Sequence, residues 1–107
     1  MNAEEVREYC LKRDDVEETF PFGPDTLVFK TKGKIFLLLS LDEAPIRFNV
    51  KCDPEEAIQL REEFPEHVLP GYHMNKKHWN TVVAGGGLST SLIKKMIDES
   101  YRLVKAK

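Results

Sequence analysis

Ile46-Arg47-Phe48-Asn49-Val50-Lys51-Cys52-Asp53-Pro54-Glu55-Glu56 switches from one structural period to another within eleven residues. Its first half alternates apolar and polar, so Ile46, Phe48 and Val50 face inward and Arg47, Asn49 and Lys51 outward, the pattern of a strand covered on one side only. Its second half is a helix start. Asp53 is a capping residue, Pro54 occupies the first helical position where a missing N–H costs nothing, and Glu56 completes a capping box. A half-covered strand that passes directly into a capped helix implies an antiparallel sheet with helices on one face.

Upstream, the same architecture continues. Thr26 to Thr31 reads as a strand, Lys32-Gly33 as a tight turn and Ile35 to Leu41 as the partner strand. Asp42-Glu43-Ala44-Pro45 then turns the chain into the alternating stretch, giving three short-linked strands in a meander. Phe20-Pro21-Phe22-Gly23-Pro24-Asp25 is too rich in Pro and Gly for a helix and reads as an ordered loop. Asn2 with Glu5 forms a capping box for a first helix over residues 3–13. That helix and its exit carry Glu4, Glu5, Glu8, Asp14, Asp15, Glu17 and Glu18.

Downstream, Ala57, Leu60 and Phe64 share a helix face that Pro65 ends. Residues 67–69 form a short strand, Pro70-Gly71 a turn, and residues 79–84 a strand that begins with the only Trp. Ser89 caps a last helix with Leu88 and Ile93 as a hydrophobic staple, and Leu92, Ile93, Met96, Ile97, Tyr101 and Val104 give it a wide apolar stripe. Trp79 is expected in the core against Met96, Ile97 and Tyr101. The element order is α-β-β-β-α-β-β-α, a single α+β domain over residues 1–107 with helices mainly on one face of the sheet.

Composition suits a soluble globular domain, with 41% hydrophobic and 32% charged residues among 107. No apolar run approaches a membrane span, and the first residues lack a secretory pattern. With Cys10 and Cys52 far apart and outside any metal or redox spacing, free thiols in the cytoplasm are expected. The net charge of −2 conceals a polarity: residues 67–107 carry seven Lys and Arg against two acidic side chains, and residues 1–66 nine against sixteen. A basic C-terminal part is compatible with an anionic partner.

Three chemistries are weak on spacing. His73 and His78 stand five apart in a turn without a Cys or carboxylate between them, poor zinc geometry. Cys52 has only the adjacent helix start to activate it. Gly85-Gly86-Gly87 precedes a helix but lacks the phosphate-loop pattern. Nothing resembles a nucleophile–base pair, so a non-enzymatic protein without a cofactor is expected.

The stretch Pro70-Gly71-Tyr72-His73-Met74-Asn75-Lys76-Lys77-His78-Trp79-Asn80-Thr81-Val82 resembles the signature of the MmcQ/YjbR family of small bacterial proteins. Thr19-Phe20-Pro21-Phe22-Gly23, Lys51-Cys52-Asp53-Pro54-Glu55 with Leu60-Arg61, and Ser100-Tyr101-Arg102-Leu103-Val104 fit the same family in order. The resemblance implies a frataxin-like (CyaY-like) α+β sandwich and a "double wing" DNA-binding description, and it supplies no catalytic residue.

A DNA-binding module built on these residues would anchor phosphates with Lys76 and Lys77, helped by Lys30, Lys32, Lys34, Arg47 and Lys51. The Lys32-Gly33 turn would be one wing and the Pro70–Trp79 segment the other, with His73, Asn75 and His78 donating to phosphates or base edges. The same residues also fit a solvated basic surface in which Asn75 ties its own turn. A second function class uses the acidic first helix, through Glu4, Glu8, Asp14 and Asp15, for a metal or a protein partner. A third, an enzyme on small anions at His73 and His78, lacks a visible nucleophile.

Overall fold

The computed structural model describes residues 1–106; Lys107 lies outside them. The elements are α1 (Ala3–Leu11), β1 (Val16–Thr19), β2 (Thr26–Thr31), β3 (Lys34–Ser40), β4 (Arg47–Lys51), α2 (Pro54–Glu63), β5 (Val68–Pro70), β6 (Trp79–Val83) and α3 (Thr90–Lys105). The strands form one antiparallel sheet in the order β1-β2-β3-β4-β6-β5. The fold is therefore α+β, as expected, with one more strand than the periodicity indicated.

That extra strand is the principal correction. The helix expected over residues 3–13 stops at Leu11, where Arg13 N–H reaches back to the Cys10 carbonyl at 3.2 Å. Asp15 then takes a left-handed conformation (φ 58°) that aims the chain along the sheet edge. Val16-Glu17-Glu18-Thr19 has two adjacent carboxylates and little apolar alternation, so its strand character comes from pairing with β2. Glu18 is not merely solvated, since Arg7 of α1 clamps both its oxygens at 2.8 Å.

All three caps form at the residues the sequence marks, but among the described residues only Asn2 with Glu5 closes a capping box; the Glu56 side chain does not return to Asp53. Asn2 Oδ1 accepts from Glu5 N at 2.8 Å and Asn2 N donates to Glu5 Oε1 at 3.0 Å. Asp53 accepts from Glu55 N and Glu56 N, and Ser89 Oγ accepts from Leu92 N at 3.1 Å. The Lys32-Gly33 turn has φ of 53° and 77°, the doubly left-handed geometry that suits a two-residue hairpin. Leu88 and Ile93, the staple pair, are both buried.

One sheet face lies under the helices. Leu27, Phe29, Leu37, Leu39, Phe48, Val50 and Val82 point there and meet Val6 and Cys10 of α1 and Ile93, Met96, Ile97 and Val104 of α3. A bulge adds one more. Phe29 pairs with Leu37 and Lys30 with Ile35, so Phe36 has no partner on β2 and turns inward beside Leu37. Fully buried, it packs edge-on against Tyr101 at 5.3 Å between ring centroids. A phenylalanine buried in this way contributes about 1.5–3 kcal/mol.

Trp79 does not face α3. On β6 the helix-facing positions are taken by Asn80 and Val82, and a period of two sends Trp79 and Thr81 to the other side. Trp79 is half-buried there, and Tyr101 fills the aromatic role against α3's side of the core.

Candidate functional site

The register brings three basic segments to one end of the sheet. Thr31 pairs with Lys34 across the Lys32-Gly33 turn, Leu37 with Val50, and Lys51 with Trp79. The β2–β3 turn, the last residue of β4 and the start of β6 therefore share that end. The segment joining β5 to β6 begins there as well.

This β5–β6 segment is held by its own backbone. Gly71 N donates to Trp79 O at 2.9 Å, and a Cβ on Gly71 would stand 2.8 Å from Trp79 Cβ and 2.9 Å from its carbonyl oxygen. Only glycine closes the loop so tightly. Asn75 Oδ1 accepts from Lys77 N at 3.0 Å, while the Asn75 carbonyl accepts from His78 N and Trp79 N. From α2, Arg61 donates through Nε to the buried Asn80 Oδ1 at 2.7 Å and through a terminal nitrogen to the Lys76 carbonyl. Lys76 Nζ reaches the Gly71 carbonyl at 3.4 Å.

The loop then folds over the uncovered sheet face. Tyr72 N donates to Thr81 Oγ1 at 3.0 Å, Thr81 Oγ1 donates to Asn49 Oδ1, and Asn49 Nδ2 donates to Tyr72 O at 3.4 Å. This three-residue ring fastens the loop to β4 and β6. Between it and the β1–β2 loop lies a cleft of about 430 Å³ with Ile35, Leu38, Thr26, Ser40 and Asn49 lining it. Phe22, 65% exposed, and Tyr72, 70% exposed, belong to its opposite walls. His73, in a left-handed conformation (φ 59°), lies 4.0 Å from Tyr72 between ring centroids. A shallower depression of about 210 Å³ continues past Ser40 and Asn49 to Arg47, Glu43 and Thr81.

The YjbR family model matches residues 11–103. The chain belongs to the YjbR family. YbdF of Escherichia coli O157:H7 is 40% identical over 101 residues, covering 94% of this chain and 82% of YbdF. YjbR of Escherichia coli K12 is 29% identical over 102 residues, 95% of this chain and 86% of that protein. A crystal structure of Deinococcus radiodurans protein DR2400, described as a DUF419 domain, superposes with a TM-score of 0.95 at 37% identity, over 99% of this chain and 80% of that one. A crystal structure of a Pseudomonas syringae protein gives 0.80 at 28% identity, over 97% and 99% of the two chains.

Within this YjbR domain the residues singled out from sequence separate into groups. Lys32, Lys51 and Lys77 gather at the common sheet end, together with Lys34 and, one residue further along β2, Lys30. Arg47 does not join them. It begins β4, four residues from Lys51 at the opposite end, and its Nε forms an ion pair with Glu43 Oε2 at 3.0 Å. Asn75 is exposed and its side-chain oxygen accepts from Lys77 N, tying the turn together. His73 is exposed; His78 is half-buried, with its carbonyl accepting from Cys52 N at 2.8 Å.

Among the described residues no three His, Cys, Asp or Glu side chains converge on a metal position. Glu5 serves the helix cap, while Glu4 and Glu8 flank Arg7, whose guanidinium is held by Glu18. Burial pushes the Cys52 thiol up to about 11 and the Cys10 thiol up to about 12, so neither is a ready nucleophile. Gly87 is needed for packing, since a Cβ there would collide with the His67 ring. Sequence reasoning missed Arg61, Thr81 and Asn49 as fasteners of the loop; only the resemblance, whose motifs include Arg61 and Thr81, touched two of them.

Proposed function

We propose that this YjbR-family chain is a non-enzymatic DNA-binding module that anchors duplex phosphates at one end of its sheet. The observation that carries the reading is the shared end of the Lys32-Gly33 turn, Lys51 and the loop bearing Lys77, two projecting segments with a lysine between them. The loop's internal bonds fix its shape before contact, which lowers the ordering cost of binding.

The test is a salt titration of duplex binding. Lys32, Lys51 and Lys77 holding one phosphate each give a log–log slope of about −2.7. Lys32→Ala with Lys77→Ala should make the slope shallower by about 1.8 and weaken unrelated duplexes equally. Binding that is undetectable at low salt, or unchanged in the double variant, rejects the reading.

A protein partner is the second reading, supported by a groove of about 440 Å³ beside α1. Exposed Phe20 and Leu41 line it with Leu27 and Leu39, and Glu4, Arg7 and Glu18 stand at its edge. Phe20→Ser should abolish capture of such a partner while leaving the duplex salt slope intact.

A further inference from the structure

Both faces of this sheet are apolar near β2 and β3, but only one is sealed by helices. On the other, the cleft of about 430 Å³ lies within the size range of small-molecule sites, and Ile35 and Leu38 line it. Two features distinguish it from an incidental gap. Its walls carry Phe22 of the β1–β2 loop and Tyr72 of the β5–β6 loop, two of the most exposed large apolar side chains among the described residues. In addition, the loop that supplies Tyr72 is locked to the sheet by the Asn49–Thr81 bonds, so that wall is fixed in the absence of a ligand.

We infer that this cleft binds a nucleobase, with the ring stacked on Tyr72 and Phe22 over Ile35 and Leu38 and its phosphate directed to Arg47. The inference extends the DNA reading but stands on different residues. A flat ring fits because aromatic side chains offer it π-faces without demanding a particular sequence. A heteroaromatic ring fits better than a hydrocarbon, since Ser40 and Thr26 hydroxyls and the Asn49 carboxamide stand among the lining groups. The acidic residue lining the cleft is Glu43, and its carboxylate is neutralised by the ion pair with Arg47 of the continuing depression. Glu43 engages its Nε, and the planar guanidinium retains its terminal N–H groups for a phosphate. Lys30, paired with Ile35 on the same face, supplies a second cation towards the other end. A base that enters such a cleft must be unpaired, so the ligand is a free nucleotide or a single strand rather than intact duplex.

The experiment titrates isotopically labelled protein with AMP, CMP and a short oligothymidylate, following the amide resonances of Ile35, Leu38 and Asn49 and the dissociation constant. Saturable shifts confined to the cleft are expected with at least one of the three. Tyr72→Ala and Phe22→Ala should each weaken that binding about 5- to 150-fold, the span of one lost base–aromatic stack. Tyr72→Phe should restore most of it. Both residues are exposed, so unchanged thermal melting of the variants excludes misfolding as the cause. Mononucleotide binding identifies a free nucleotide as sufficient, and oligothymidylate binding alone identifies a strand. The Lys32/Lys77 double variant separates the two readings. Cleft shifts that persist when duplex binding is absent sustain this inference without the DNA reading. Salt-dependent duplex binding with no cleft shifts, or nucleotide binding indifferent to Tyr72→Ala and Phe22→Ala, overturns it.

Discussion

Ser100→Ala tests the join between the bulge and the last helix. Ser100 is fully buried on α3, and its hydroxyl serves two strands at once: it donates to the Phe36 carbonyl and accepts from Lys51 N at 2.8 Å. Phe36 is the bulge residue without a β2 partner, so its carbonyl depends on this side chain. Alanine removes one oxygen and strands two backbone groups. Each unsatisfied group costs about 1–3 kcal/mol, giving about 2–5 kcal/mol in total because Lys51 N is only partly buried. Alanine's higher helix propensity returns roughly 0.5 kcal/mol. Urea unfolding should therefore show a net loss of about 2–4 kcal/mol, and thermal melting a fall of about 8–25 °C. Ser91→Ala, exposed on the same helix, should stay within about 0.5 kcal/mol of the parent. A Ser100→Ala protein as stable as the Ser91→Ala protein would refute the claim that this hydroxyl is what joins β3 and β4 to α3.

Three further outcomes follow from the geometry. Gly71→Ala should lower stability by about 1–3 kcal/mol in denaturant titration, because its Cβ would meet the Trp79 backbone, which the β6 ladder holds in place. Asn75→Ala should cost about 0.5–1.5 kcal/mol by removing the acceptor for Lys77 N, whereas Asn75→Asp keeps an acceptor and should restore it. If Asn75 read a base through its NH2 group, Asn75→Asp would instead abolish DNA binding. Cys10 and Cys52 have folded pKa values raised by burial to about 12 and about 11, so folded protein holds those protons where unfolded chain has lost them. Stability is complete below the ordinary thiol range and falls as pH rises from about 9 towards 11, by up to about 1.4 kcal/mol per pH unit for each thiol. Unfolding titrations at stepped alkaline pH check the slope, and Cys10→Ala should flatten it.

Whatever is encoded within a few neighbouring residues is legible in the sequence. Asn2 with Glu5, Asp53 with Pro54, and Ser89 fix three helix starts because a cap acts on backbone groups two or three residues away. Ile46 to Lys51 fixes a strand and its buried face, since the side-chain period of two is local. The Pro70–Val82 signature points to the family and, through it, to the fold class.

The rest depends on long-range pairing, because each case turns on a partner distant in sequence. Val16–Thr19 is a strand only beside β2. Phe36 turns inward only because the β2–β3 register slips by one residue. The alternation of Trp79-Asn80-Thr81-Val82 is visible in sequence, but not which half meets the helices. Arg61 and Ala57 of α2 claim Asn80, and that sends Trp79 to the opposite face. Lys51 and Arg47 look equivalent four residues apart, yet the antiparallel register puts one beside the Lys32 turn and the other, paired with Glu43, at the far end. Phe22 and Tyr72 stand 50 positions apart and become two walls of one cleft only when the β1–β2 and β5–β6 loops fold over the same sheet face. Local chemistry specifies the elements, and long-range pairing chooses their faces, so a site assembled from several faces exists only once the sheet has formed.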